Sequence, residues 1–107
     1  MFNLFNKIPS ISPGDAAEKM QAGAADFIDV RSQEEFEGGH AKGARNIPLE
    51  TLTYHVEKLK KYQQVYVICQ SGGRSSRAVN HLLSEGVNAI NVVGGTFAWE
   101  LSGLPME

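Results

Sequence analysis

Val65-Tyr66-Val67-Ile68-Cys69-Gln70-Ser71-Gly72-Gly73-Arg74-Ser75 is the stretch on which the fold turns. Its first four residues are apolar, β-branched or aromatic, and a polar, glycine-bearing segment cuts them off, so they read as a short buried strand. A helical pattern follows from Ser75 to Glu85, with Ala78, Val79, Leu82 and Leu83 on the inner side and Gly86 as the stop. Cys69 therefore stands at a strand end, in a glycine-rich loop, facing a helix N-terminus. Such a place lowers a thiol pKa and favours an anion beside it.

Outward from this centre the alternation repeats. Upstream, Ser12-Pro13-Gly14-Asp15 starts a helix, with Ser12 as cap, Pro13 at the first position, Ala16, Ala17 and Met20 as its apolar face and Gly23 as its stop. Phe27 to Val30 reads as a buried strand. Ser32 and Glu35 form a capping-box pattern for a short helix through Phe36, which Gly38-Gly39-His40 ends. Ala41 to Leu49 reads as irregular, with Ile47 and Leu49 turned inward. A helix is expected over Leu52 to Lys61, with Leu52, Val56 and Leu59 on one face. Downstream, Ala89 to Val93 reads as a strand, followed by Gly94-Gly95 and a final turn capped by Thr96 that buries Phe97, Trp99 and Leu101. Short apolar strands alternating with amphipathic helices predict an α/β fold: a small central parallel sheet flanked by helices on both faces. Ligands collect at the carboxyl ends of such strands, where Cys69, Asp29 to Arg31 and Gly94-Gly95 all fall.

The 107 residues fit one domain, expected over 11–107 behind a tail of residues 1–10 in which Phe2, Leu4, Phe5 and Ile8 are apolar. A formal net charge of −2 gives no broad attraction to nucleic acid or anionic lipid, and no segment is apolar enough to span a membrane. One cysteine rules out an internal disulfide and, with three scattered histidines, argues against a metal site. A lone exposed thiol suits a reducing compartment, so the cytoplasm is the expected location.

A thiolate can attack a sulfane sulfur and then carry it as a persulfide. The charge that develops needs inward-pointing backbone N–H groups, and Gly72 and Gly73 let the chain turn to present them. Arg74 is expected to reach back over the thiol and grip an anionic donor, with Ser71 and Ser75 as hydroxyl donors. Phosphate-ester hydrolysis also uses a cysteine, an anion cradle and an arginine. The four residues between Cys69 and Arg74 leave little room for a phosphate ester, however, and no acid is well placed to protonate a leaving group.

With these pieces in order, the chain resembles a single-domain rhodanese, a sulfurtransferase module, from about Ile11 to Met106. The matching motifs are Asp29-Val30-Arg31; Glu34-Glu35-Phe36 with Gly39-His40; Gly43-Ala44; Asn46-Ile47-Pro48-Leu49; Val67-Ile68-Cys69 with Gly72, Arg74-Ser75 and Ala78; and Gly94-Gly95 with Trp99. The resemblance implies a three-layer α/β domain and Cys69 as the nucleophile. It implies that Gln70, Ser71, Gly72, Gly73, Arg74 and Ser75 wrap the persulfide, in a loop of the sulfur-handling length. Gln70 departs from the thiosulfate enzymes, which carry a basic residue there, and this weakens thiosulfate as the natural donor.

Asp29 and Arg31 are expected to form an ion pair that orients the segment beside the loop, with Arg45 joining them, and His40 to hold the irregular stretch through hydrogen bonds. Lys58, Lys60 and Lys61 form a small basic patch. The expected partners are a small sulfur donor such as thiosulfate and a protein persulfide donor or acceptor; neither metal nor organic cofactor is required, and the chain is expected as a monomer or weak homodimer. The alternatives are a sulfur carrier with little small-molecule turnover and a catalytically silent binding domain.

Overall fold

The computed structural model describes residues 8–23 and 25–107; the apolar tail positions Phe2, Leu4 and Phe5 lie outside them. Five parallel strands form one sheet: β1 (Ser10–Ile11), β2 (Ala25–Asp29), β3 (Arg45–Asn46), β4 (Gln64–Ile68) and β5 (Ala89–Val92). Their order across the sheet is β1-β5-β4-β2-β3, which puts β4 at the centre. Alternation along β4 divides the core in two, as a pleated strand must. Val65, Val67 and Cys69 face a layer containing Leu52, Val56, Leu59, Ala78, Val79 and Leu82. Tyr66 and Ile68 face the other, with Phe27, Ala16 and Trp99.

Helices α1 (Pro13–Met20), α2 (Gln33–Glu37), α3 (Val56–Leu59), α4 (Gly73–Ser84) and α5 (Gly95–Leu101) complete the layers. Ser12 caps α1 by accepting from the Asp15 N–H, and both halves of the Ser32–Glu35 capping box are formed on α2. Ser10, placed in the expected tail, pairs with Asn91 in the sheet, and Ile8 packs against the core.

Four local expectations are corrected. The helix expected over Leu52 to Lys61 is a 3-10 helix, Leu49–His55, followed by the single turn α3. Thr51 explains the tighter winding: both its N–H and its hydroxyl donate to the Pro48 carbonyl, at 2.8 Å each, and close the first turn at i to i+3. The helix after the cysteine starts at Gly73 rather than Ser75, so Arg74 belongs to its first turn. Leu83 is exposed, because α4 buries the stripe of Ala78, Val79 and Leu82 and turns the next residue away. In the short α5 the inner stripe is Thr96 and Trp99, and Phe97 and Leu101 point to solvent, 58% and 73% exposed.

Candidate active site

β4 ends at Ile68, and its alternation turns the Cys69 side chain to the face that α4 covers. The thiol, expected to be exposed, is only 1% so. Gly72 makes this possible: at φ +123° it bends the chain into the α4 N-terminus, and its N–H donates to Cys69 Sγ at 3.1 Å. The Ser75 hydroxyl lies 3.3 Å from the same sulfur. Burial pushes the thiol pKa up. The Ser75 hydroxyl and the N–H groups of Ser75, Gly72 and Ser71 more than reverse this, so the thiol ionises below its ordinary range. Ser71 thus contributes through its backbone, whereas Gly73, the first residue of α4, makes no bond to the sulfur and has open space where a Cβ would stand.

The loop is fastened from beneath by α5. The Thr96 N–H and hydroxyl both donate to the Cys69 carbonyl, at 2.8 and 3.1 Å, and the Phe97 N–H donates to the Gln70 carbonyl at 3.1 Å. Thr96 is therefore a clamp rather than the expected cap; Gly94, left-handed at φ +76°, holds the cap position. The two segments touch so closely that a Cβ on Gly95 would meet the Cys69 carbonyl oxygen at 2.5 Å.

Arg74 does not reach over the thiol. Starting α4 at Gly73 swings its guanidinium toward α2, where it donates to both Glu35 oxygens at 2.6 and 2.9 Å. The Arg74 hydrogen bonds, with those from Ser32, hold the Glu35 carboxyl down from an ordinary 4.5 to about 2. Arg31 pairs with the fully buried Asp29 as expected, through Nε and Nη2, and also donates to the Gly39 carbonyl at 2.8 Å and to Gln70 Oε1 at 3.3 Å. It therefore steadies the loop directly. Arg45 does not join this pair; it sits across from Asp26, whose carboxylate accepts from its Nε and Nη2. The partners of His40 are the Phe36 carbonyl, against Nδ1 at 2.9 Å, and the backbone of Glu107, away from the sulfur.

Two hollows of about 500 Å³ flank the loop. One runs between the 3-10 helix and α4, with Arg74, Arg77 and His81 on one wall and Leu49, Glu50 and Thr53 on the other. The second has Arg31 and Gln70 at its base and Glu34, Glu35 and Glu100 among its walls. Glu35 and Asn91 are absent from the sequence-based set of site residues. Glu35 is legible as a capping-box acid, which masks its second task. Asn91 carries a signal: it is the one polar residue in the strand Ala89-Ile90-Asn91-Val92, it is 7% exposed, and its Oδ1 accepts from the Ser75 hydroxyl at 2.6 Å.

A parallel α/β sheet that delivers one buried thiol into a cradle of loop N–H groups defines a thiol-centred α/β domain. The chain is a member of the rhodanese-like family, whose Rhodanese-like domain model matches residues 12–102. It is 34% identical over 118 aligned positions to thiosulfate sulfurtransferase 16, chloroplastic, of Arabidopsis thaliana, covering 95% of this chain and 96% of that one. It is 33% identical to the putative sulfur carrier protein YrkF of Bacillus subtilis (strain 168), across 88% of this chain and about half (52%) of that protein. A rhodanese-related protein of Thermoplasma volcanium superposes with a TM-score of 0.83 at 32% identity, covering 92% of this chain and 97% of that one. No helix among the described residues is long and apolar enough to cross a membrane.

Proposed function

We propose that the chain is a sulfurtransferase that cycles between the Cys69 thiolate and the Cys69 persulfide. The observation that carries this reading is the Gly72 N–H held 3.1 Å from a buried sulfur, with Ser75 on its other side. The thiolate attacks the outer sulfur of a donor such as thiosulfate. A bond forms between Sγ and that sulfur, the donor's S–S bond breaks, and sulfite leaves with the electron pair. An acceptor nucleophile, cyanide or a thiolate, then attacks the outer sulfur of the persulfide and returns Cys69 as thiolate. Proton transfer is needed only to ionise the thiol at the outset. The loop N–H groups stabilise the negative charge that persists through both steps. Arg31, Asp29 and Gln70 serve by fixing the loop, while Arg45 and His40 stabilise the segments around it.

Two observations favour a protein or low-molecular-weight persulfide over thiosulfate as the physiological donor. Arg74 is engaged by Glu35, and position 70 carries a neutral glutamine, so neither lends the loop a free positive charge. They also support the second reading, a persulfide relay with low turnover on small molecules, in a reducing compartment such as the cytoplasm.

Intact mass of the reduced protein after brief exposure to thiosulfate, beside Cys69→Ser, is the test. A gain of one sulfur atom that cyanide reverses and that the variant lacks is the expected result. No gain with thiosulfate but a gain with glutathione persulfide identifies the relay. No gain with either rejects persulfide chemistry at Cys69.

A further inference from the structure

β5 buries an amide whose bonds lead to the sulfur and nowhere else in the described structure. Asn91 pairs in register with Val67 of β4, and two residues past Val67 the same face presents Cys69. An apolar residue of the same volume would suit that core layer, and a buried amide is costly unless it is hydrogen-bonded. Among the described residues, the single side-chain hydrogen bond of Asn91 is the one it accepts from Ser75 at 2.6 Å; its Nδ2 has no protein partner and keeps an edge on solvent. Ser75 is fully buried and lies 3.3 Å from Sγ.

Proton counting makes this arrangement informative. The Ser75 hydroxyl has one hydrogen and three acceptors within reach: Asn91 Oδ1 at 2.6 Å, the Gly72 carbonyl at 3.2 Å and Sγ at 3.3 Å. The Gly72 carbonyl is already served by the Ser76 N–H and hydroxyl, at 3.0 and 2.6 Å. With the hydrogen on Asn91, Ser75 offers only lone pairs to the sulfur. That suits a neutral thiol, whose S–H donates to Ser75 Oγ. A thiolate needs the opposite: the Ser75 O–H must turn to Sγ, which leaves two oxygens 2.6 Å apart with no hydrogen between them. An amide resolves the conflict because its oxygen and nitrogen are nearly isosteric. A half-turn about its terminal bond brings the partnerless Nδ2–H₂ to Ser75 Oγ as donor.

We infer that Asn91 is a positioning residue that switches, by turning its amide, between accepting from Ser75 when Cys69 is a thiol and donating to Ser75 when Cys69 is a thiolate. The chain Asn91 Nδ2–H to Ser75 Oγ–H to Sγ then reinforces the donors of the loop in the charged state, and the proton lost from sulfur passes to solvent. The charged groups around the loop are paired among themselves: Arg74 of α4 with Glu35 of α2, and Arg31 with Asp29 at the end of β2. From β5 and α5 the groups that reach Ser75 and Cys69 are the neutral Asn91 and Thr96. The inference deepens the sulfurtransferase reading by naming what supports its nucleophile, yet it concerns the reduced protein alone, so it can fail while persulfide formation stands, and the reverse.

The test is the pH dependence of Cys69 alkylation by iodoacetamide in the full chain, for wild type, Asn91→Leu, Ser75→Ala and the double variant. Ser75→Ala, which removes a donor to the charged sulfur, should raise the thiol midpoint by about one pH unit, or slow alkylation about tenfold below both midpoints, and the loss of the Asn91 donor behind Ser75 should raise it by a measurable part of that. Asn91→Leu should show this smaller rise in the wild-type background and add nothing to Ser75→Ala. An unchanged midpoint in Asn91→Leu, or an equal rise in both backgrounds, would overturn the inference, the latter because the effect would then not pass through Ser75. Wild-type protein supplies an arm that needs no variant to fold. The Asn91 side-chain amide resonances should titrate with the thiolate absorbance, and resonances that stay fixed across that midpoint would overturn the switch.

Discussion

Glu35 is the residue whose two tasks meet. As the third residue of α2 it closes the capping box with Ser32, and as a carboxylate it takes both terminal nitrogens of Arg74. Replacing it by Gln keeps a side chain that can accept from the Ser32 N–H, so Glu35→Gln isolates the charge of the pair. The folded carboxyl sits at about 2, below its ordinary 4.5. A depressed acid stabilises the fold above its unfolded value and loses that contribution as pH falls through the folded one. Wild type should therefore exceed Glu35→Gln in stability above pH 4.5, with the gap closing toward pH 2. Both partners are more than a third exposed, so solvent screening limits the gap to about 1 kcal/mol. Urea midpoints measured across that range check it; a gap that stays constant with pH would show that the charge contributes nothing.

The elements around the cysteine are fixed by contact between α5 and the end of β4, and the two glycines near them are not equivalent. Gly95 lies at φ +63°, and a Cβ there would press on the Cys69 carbonyl and the Gln70 backbone at 2.5 to 2.6 Å. Gly95→Ala should cost about 2–4 kcal/mol from backbone strain and overpacking and should dislodge the loop, so that alkylation of Cys69 changes with it. Gly73, at the first position of α4 with nothing near its Cβ site, should accept Ala with a gain of about 0.4–1 kcal/mol. Denaturant midpoints of both variants decide; equal effects would mean that the close approach does not set the loop. This contrast also separates what the residues reveal in sequence from what they hide. The strand Val65 to Ile68, the caps at Ser12 and Ser32 and the Ala78, Val79 and Leu82 part of the α4 stripe are local patterns that form where their period puts them, and Leu83 at the edge of that stripe is the exception. The Asp29–Arg31 pair is legible because the two residues are neighbours in sequence. Arg74 with Glu35, Arg45 with Asp26, and Ser75 with Asn91 join residues far apart in the chain. Their choice of partner depends on how α2, β2 and β5 come to rest against the sheet, which no local pattern encodes.

At the scale of the whole molecule, a net charge of −2 gives no long-range attraction for an anionic sulfur donor, so any preference must come from the local field beside the loop. The two hollows that flank the loop differ in sign. Glu34, Glu35 and Glu100 stand around one, with Arg31 in it already paired to Asp29, whereas Arg74, Arg77 and His81 share a face of α4 along the other, with Glu50 on the opposite wall. Arg74 is neutralised by Glu35, and among the described residues Arg77 has no ion-pair partner, which makes it the positive charge available to a donor there. Arg77→Glu should lower kcat/KM for the anionic donors thiosulfate and glutathione persulfide roughly threefold to tenfold at low salt, the range expected for reversing one exposed charge. The difference should shrink as salt is raised, because an exposed charge is screened over about 10 Å at 0.1 M. Alkylation by uncharged iodoacetamide should stay the same, since Arg77 touches neither the sulfur nor its donors in the loop. If the variant instead reacts with anionic donors at the wild-type rate in low salt, the basic hollow is not the donor's path. Entry would then fall to the acidic hollow, where Glu34 and Glu100, the carboxylates not paired with Arg74, favour a donor presented by a protein with a basic surface.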